Sequence, residues 1–74
     1  MEGAATETVQ IVVNGQVRDV PHGLSLAALL QFLEIDPARV AVELNRSIVN
    51  RGLWDHTAVS AGATLEIVQF VGGG

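Results

Sequence analysis

The sequence predicts an α+β fold, a mixed sheet of four to five strands with one main helix packed across it. Three observations predict it. Residues 9–20 are two β-rich runs around Asn14-Gly15, a dipeptide that supplies the positive φ angles of a tight type I′ hairpin turn. Leu26, Leu29, Leu30 and Leu33 recur at three- and four-residue spacing, which gathers them on one stripe of a helix. Further β-rich runs at 40–49 and 64–71 supply the sheet such a helix needs to cover.

Residues 1–8 are small, polar and acidic and are expected to form a flexible N-terminal arm, with the domain running from 9 to 71. In the first strand, alternation puts Val9, Ile11 and Val13 on one face and Gln10, Val12 and Asn14 on the other. Pro21-His22-Gly23 breaks the second strand. Ser25 then stands at the helix N-cap, where its hydroxyl can accept from an otherwise unpaired amide. The helix is expected to stop before Asp36-Pro37, because proline disfavours a helical residue before it. Val40 to Asn45 reads as a third strand with Val40, Val42 and Leu44 inward. Asn45-Arg46 turns the chain into a short strand at Ser47, Ile48 and Val49. Residues 50–57 are mixed, with Trp54 as their anchor. Ala61-Gly62 makes the last turn before a strand from Thr64 to Val71, with Leu65 and Ile67 facing the core and Glu66, Val68 and Phe70 facing out. Two antiparallel hairpin strands followed by a helical crossover fit a β-grasp arrangement, an element order that other small α+β folds share.

Size and composition narrow the function. A chain of 74 residues is one domain, and one this short buries only roughly 60% of its unfolded surface, which leaves little room for a deep pocket. There is no Cys, and His22 and His56 lie far apart, so apolar packing must supply the stability. The net charge is −4, and Arg18, Arg39, Arg46 and Arg51 are dispersed along a sequence without lysine. That pattern argues against nucleic acid, which needs clustered cations. An acidic surface suits a partner with a basic patch, and equally keeps a small protein in solution. The first residues have no basic and apolar leader pattern and no apolar run is long enough to span a bilayer, so a cytoplasmic protein with no membrane partner is expected.

Side-chain catalysis finds little support. No glycine-rich phosphate loop, nucleophile elbow or zinc-binding spacing occurs. Ser25, Ser47 and Ser60 have no Ser-His-acid set, and His22 beside a helix cap is an ordinary loop histidine. Trp54, Asp55 and His56 read as a surface loop pinned by one buried aromatic rather than as an acid-base pair.

The unusual feature is the ending, Gln69-Phe70-Val71 followed by Gly72, Gly73 and Gly74. Three extended residues reach about 10 Å. Without side chains they can enter a narrow channel in another protein and adopt angles forbidden to other residues. Such a tail presents one functional group, the carboxylate of Gly74. A carboxylate is a poor electrophile. Transfer of AMP from ATP creates a leaving group that a sulfur nucleophile such as a persulfide can displace, and the product is a thiocarboxylate. An inert tail is the plain alternative for a glycine run. Against it stands the context, since the glycines abut the last strand without a spacer.

The sequence resembles the ThiS family of sulfur carriers, within the ubiquitin-like sulfur carrier proteins, from about Val9 to Gly74. The likeness rests on Asn14-Gly15, the Leu-rich stretch from Leu26 to Leu33, Val42-Glu43-Leu44-Asn45 with Ile48-Val49, Arg51-x-x-Trp54-Asp55, Gly62 and the Gln69 to Gly74 ending. The resemblance implies a β-grasp fold and adenylation of Gly74 by an E1-like enzyme of the ThiF type that uses ATP, with no cofactor bound to the chain itself. It further implies a persulfide-type sulfur donor and delivery of sulfur to a thiazole synthase of the ThiG type for thiamine. Gly73 and Gly74 carry over as the tail pair. Asn50 and Ala63 stand where the family often has Pro and Asp, a departure in loop chemistry.

Molybdopterin-synthase small subunits share the fold and a Gly-Gly end but usually carry prolines before it, which this chain lacks. Carriers for molybdopterin or cysteine pathways remain alternatives. So does a ubiquitin-like modifier joining Gly74 to a lysine, or a passive interaction module whose tail is irrelevant. Val68 and Phe70 are the expected outward apolar contacts with partners; burial under residues 1–8 or in a dimer is their other expected fate.

Overall fold

The computed structural model describes residues 7–70. The chain forms strands β1 (Thr8–Val13) and β2 (Gln16–Pro21), helix α1 (Leu26–Phe32), then β3 (Val40–Leu44), β4 (Ser47–Ile48) and β5 (Thr64–Gln69). Short 3₁₀ helices occupy Pro37–Arg39 and Arg51–His56. The five strands make one mixed sheet in the order β2-β1-β5-β3-β4. β1 and β5 are parallel neighbours, and every other pair is antiparallel. This is the α+β arrangement expected, with the last strand in the middle.

Each element has a local cause. Asn14 and Gly15 both have positive φ (50° and 82°), as a type I′ hairpin requires. The Ser25 hydroxyl accepts from the Ala28 amide at 3.1 Å and opens α1. The leucine stripe is buried as the spacing predicts: Leu26, Leu29 and Leu30 have no exposed surface, and Leu33 packs against the same core. Ile11, Val13, Val20, Val40, Val42, Leu65 and Ile67 meet that stripe from the sheet.

Two boundaries differ from the sequence-based expectation, those of the N-terminal arm and the last strand, while the helix stops before Asp36-Pro37 as expected. Glu7 and Thr8 are not part of a free arm. Thr8 belongs to β1, and the Glu7 carbonyl accepts from the His22 amide at 2.8 Å. The rest of the expected arm, residues 1–6, lies outside the described residues. The helix ends at Phe32, well ahead of Asp36-Pro37, because Glu34 adopts a left-handed φ of 62°. The Ile35 amide then bonds the Leu30 carbonyl and the Glu34 amide the Gln31 carbonyl, the two bonds of a Schellman cap. The last strand stops at Gln69, although the Phe70 amide still donates to the Arg39 carbonyl at 2.7 Å; Val71 lies outside the described residues.

Residues 50–57, read as mixed, are held as expected by Trp54. Its ring is buried and its Nε1 donates to the Val49 carbonyl at 2.8 Å, which rolls Arg51–His56 into a 3₁₀ turn against α1.

Candidate functional site

Of the residues expected to act, Gly72, Gly73 and Gly74 lie outside the described residues, whereas Val68 and Phe70 are placed. The site is therefore built from the strand that leads to the glycines. β5 is the central strand, and its neighbours hold it from both sides. On the β3 side the ladder runs from Leu44↔Leu65 to Val40↔Gln69 and continues in the bond from the Phe70 amide to Arg39. On the other side, the Asn14 amide reaches the Leu65 carbonyl at 2.9 Å, where β1 has already turned into the hairpin.

Two asparagine side chains extend that grip. The Asn14 carboxamide accepts from the Ile67 amide at 2.8 Å and donates to the Ile67 carbonyl at 3.1 Å. At the other end of β5, the Asn45 side chain accepts from the Thr64 amide at 3.0 Å, and the Asn45 amide donates to the Thr64 carbonyl at 2.7 Å. Sequence reading identifies both asparagines as turn residues and misses this second role. Their signal is that each stands at the first left-handed position of a tight turn, with φ of 50° and 51°, where a short amide can reach a neighbouring strand.

Alternation along β5 presents Val68 and Phe70 away from α1, as expected, with 61% and 53% of their surface exposed. Ile48 of β4, 74% exposed, lies on the same face, because it is opposite Glu43, whose neighbours Val42 and Leu44 point to the core. A shallow groove of about 350 Å³ joins Ile48 and Phe70 to Ala41, Arg51 and the edge of Trp54. The Arg51 guanidinium lies 5.7 Å from the Trp54 ring centroid. A second recess of about 420 Å³ lies on the helix side near Gln69, with Asn14, Glu34, Asp36 and Arg39 on its walls. Arg39 is 3.6 Å from Asp36 there.

The residues that could suggest side-chain catalysis are employed otherwise. Ser25 caps α1, and Asp55 and His56 are exposed on the 3₁₀ turn. Among the described residues no group of three His, Cys, Asp or Glu could hold a metal ion, and no helix is long and apolar enough to cross a membrane. What the arrangement offers is a central strand paired on both sides and ending beside exposed apolar side chains, five residues before Gly74.

Residues 11–74 match the model of the ThiS family. The chain is 33% identical to a thiamine biosynthesis protein (ThiS) of Geobacter metallireducens whose crystal structure superposes with a TM-score of 0.79, covering 89% of this chain and all of that one. It is 41% identical over 66 residues to a thiazole synthase of Paramagnetospirillum magneticum, covering 89% of this chain. It is also 31% identical over 68 residues to the uncharacterized protein ycf40 of Porphyra purpurea, covering 92% of this chain and 96% of that one. The chain spans only 20% of the length of the thiazole synthases it matches.

Proposed function

The chain belongs to the ThiS family, and we propose that it is a sulfur carrier for thiamine biosynthesis whose reactive group is the carboxylate of Gly74. The observation that carries this reading is that the family match runs through the three glycines to Gly74. The β-grasp fold supports it, because the central strand leads directly into that segment.

In this reading the folded body is a handle and the chemistry occurs in other proteins. A carboxylate oxygen of Gly74 attacks the α-phosphorus of ATP in an adenylating enzyme of the ThiF type, and pyrophosphate leaves. A persulfide sulfur then attacks the acyl carbon and AMP leaves, which joins the carrier to the donor through an acyl disulfide. A thiol cleaves the sulfur–sulfur bond, taking the donor sulfur into a new disulfide and releasing the thiocarboxylate. A thiazole synthase of the ThiG type receives that sulfur. The similarity to thiazole synthases supports a place beside that enzyme. The chain itself binds no cofactor in this scheme, and the setting is the cytoplasm, where ATP is supplied.

Val68 and Phe70 are the docking contacts. They are exposed near the C-terminal end of β5, on the face turned away from α1, where an enzyme gripping the glycines would also meet the body. The test is pyrophosphate–ATP exchange by a family adenylating enzyme. The full chain supports exchange, and a chain lacking Gly74 supports none at equal concentration. Undiminished exchange without Gly74 contradicts the reading, as does attachment of Gly74 to lysines of other proteins without any thiocarboxylate.

A further inference from the structure

The outer face of the sheet carries a charge arrangement that works against its own stability. Glu43 of β3 and Glu66 of β5 are directly opposite in register. The flanking bonds from Asn45 to Thr64 and from Phe70 to Arg39 belong to the same series, so this is a hydrogen-bonded pair with Cα atoms about 5.5 Å apart. Like charges at such a position weaken a sheet. The register leaves Asp19, Glu43 and Glu66 as the charged residues at outward positions of the five strands. None of the four arginines is at an outward strand position: Arg18 is opposite Ile11 on the helix side, Arg39 is beside Asp36, Arg46 is in the β3–β4 turn, and Arg51, over Trp54, lines the groove beside Ile48 and Phe70 rather than facing the glutamates across the ladder.

The surroundings are apolar. The adjacent outward pair is Ala41↔Val68, and Ile48 flanks Glu43 on β4. A second copy of this chain is a poor occupant of the face, because a two-fold contact would bring two such carboxylate pairs together. A partner surface with an apolar rim around a cation is complementary in both respects. The rim excludes water, and the ion interaction strengthens as water leaves.

We infer that the Glu43–Glu66 pair receives an arginine or lysine side chain of the enzyme that docks on this face, with Val68, Phe70 and Ile48 as the surrounding apolar seal. The inference rests on the sulfur-carrier reading for the identity of that enzyme. The free chain carries the repulsion, and docking relieves it. Stability and association must therefore respond to neutralisation with opposite signs.

The test uses Glu43→Gln, Glu66→Gln and the double variant, followed by thermal unfolding of the free chain and by association with a family adenylating enzyme and with a thiazole synthase at low and high salt. Each substitution raises Tm, lowers the association rate with at least one enzyme by about tenfold at low salt and flattens its salt dependence. An unchanged association rate overturns the inference, because the pair is then a tolerated defect. A fall in Tm also overturns it, since the glutamates then serve the fold. A wild-type dimer that tightens in the variants assigns the face to a second copy and overturns it too. If the wild-type chain binds neither enzyme, the sulfur-carrier reading fails and the assigned partner fails with it. Binding by the wild type with no loss in the variants sinks only the inference.

Discussion

The Asn14 side chain pairs with both backbone groups of Ile67, accepting from its amide at 2.8 Å and donating to its carbonyl at 3.1 Å. A carboxamide has the donor and acceptor of a peptide group, so it substitutes for the next residue of a strand that has already turned away. β1 ends at Val13, yet the pairing along that edge of β5 continues to Ile67. Together with the Asn45–Thr64 bonds, this fixes the path of the strand that leads toward Gly74.

Replacing Asn14 by Gly keeps the turn conformation and removes both bonds. It is expected to cost about 1–3 kcal/mol, measured by urea unfolding, since two part-buried hydrogen bonds are lost. Asn14→Asp keeps the acceptor but turns a carboxylate oxygen toward the Ile67 carbonyl, and it too destabilises the chain. A neutral result for both would show that the pairing contributes nothing.

Glu34→Gly acts in the other direction. Glu34 is held at φ 62° to close the Schellman cap, a conformation that costs an L side chain about 1 kcal/mol and glycine very little. The substitution is expected to raise Tm, and a lowered Tm contradicts this account of the helix end.

These two residues mark where the sequence was legible and where it was not. The hairpin was readable because Asn14-Gly15 carries its own backbone requirement, and α1 because its leucines repeat at helical spacing. The residue at which α1 ends was not, because Glu34 occupies a position that glycine would have advertised. The 3₁₀ turn at Arg51–His56 depends on Trp54 finding the Val49 carbonyl, a tertiary contact without local pattern. The outward direction of Val68 and Phe70 followed from alternation alone. The facing of Glu43 and Glu66 required the register between β3 and β5, which depends on how the intervening loop returns the chain.

Core and cap contributions separate by size. Leu30→Ala, at a residue with no exposed surface, is expected to cost about 2–5 kcal/mol and to threaten folding in a domain this small. Trp54→Phe keeps most of the apolar contact but orphans the Val49 carbonyl, with an expected cost of about 1–3 kcal/mol. Chemical denaturation of both variants checks the order.

Val68→Ser and Phe70→Ser are expected to change stability by no more than about 0.5 kcal/mol, because both side chains are largely exposed. Each is expected to weaken binding to the adenylating enzyme by about tenfold, because a polar side chain in the apolar seal lets water into the contact. Calorimetric titration of wild type and variants measures this. Affinity unchanged in both would remove the outer face from the docking surface.

The central claim, that Gly74 itself is charged with sulfur, is tested most directly by intact mass spectrometry after incubation with a family adenylating enzyme, ATP, a persulfide donor and a thiol. The account predicts a product heavier by the exchange of one oxygen for one sulfur, with the change confined to the C-terminal peptide containing Gly74. An enzyme proven active on another carrier that leaves this chain's mass unaltered would contradict it.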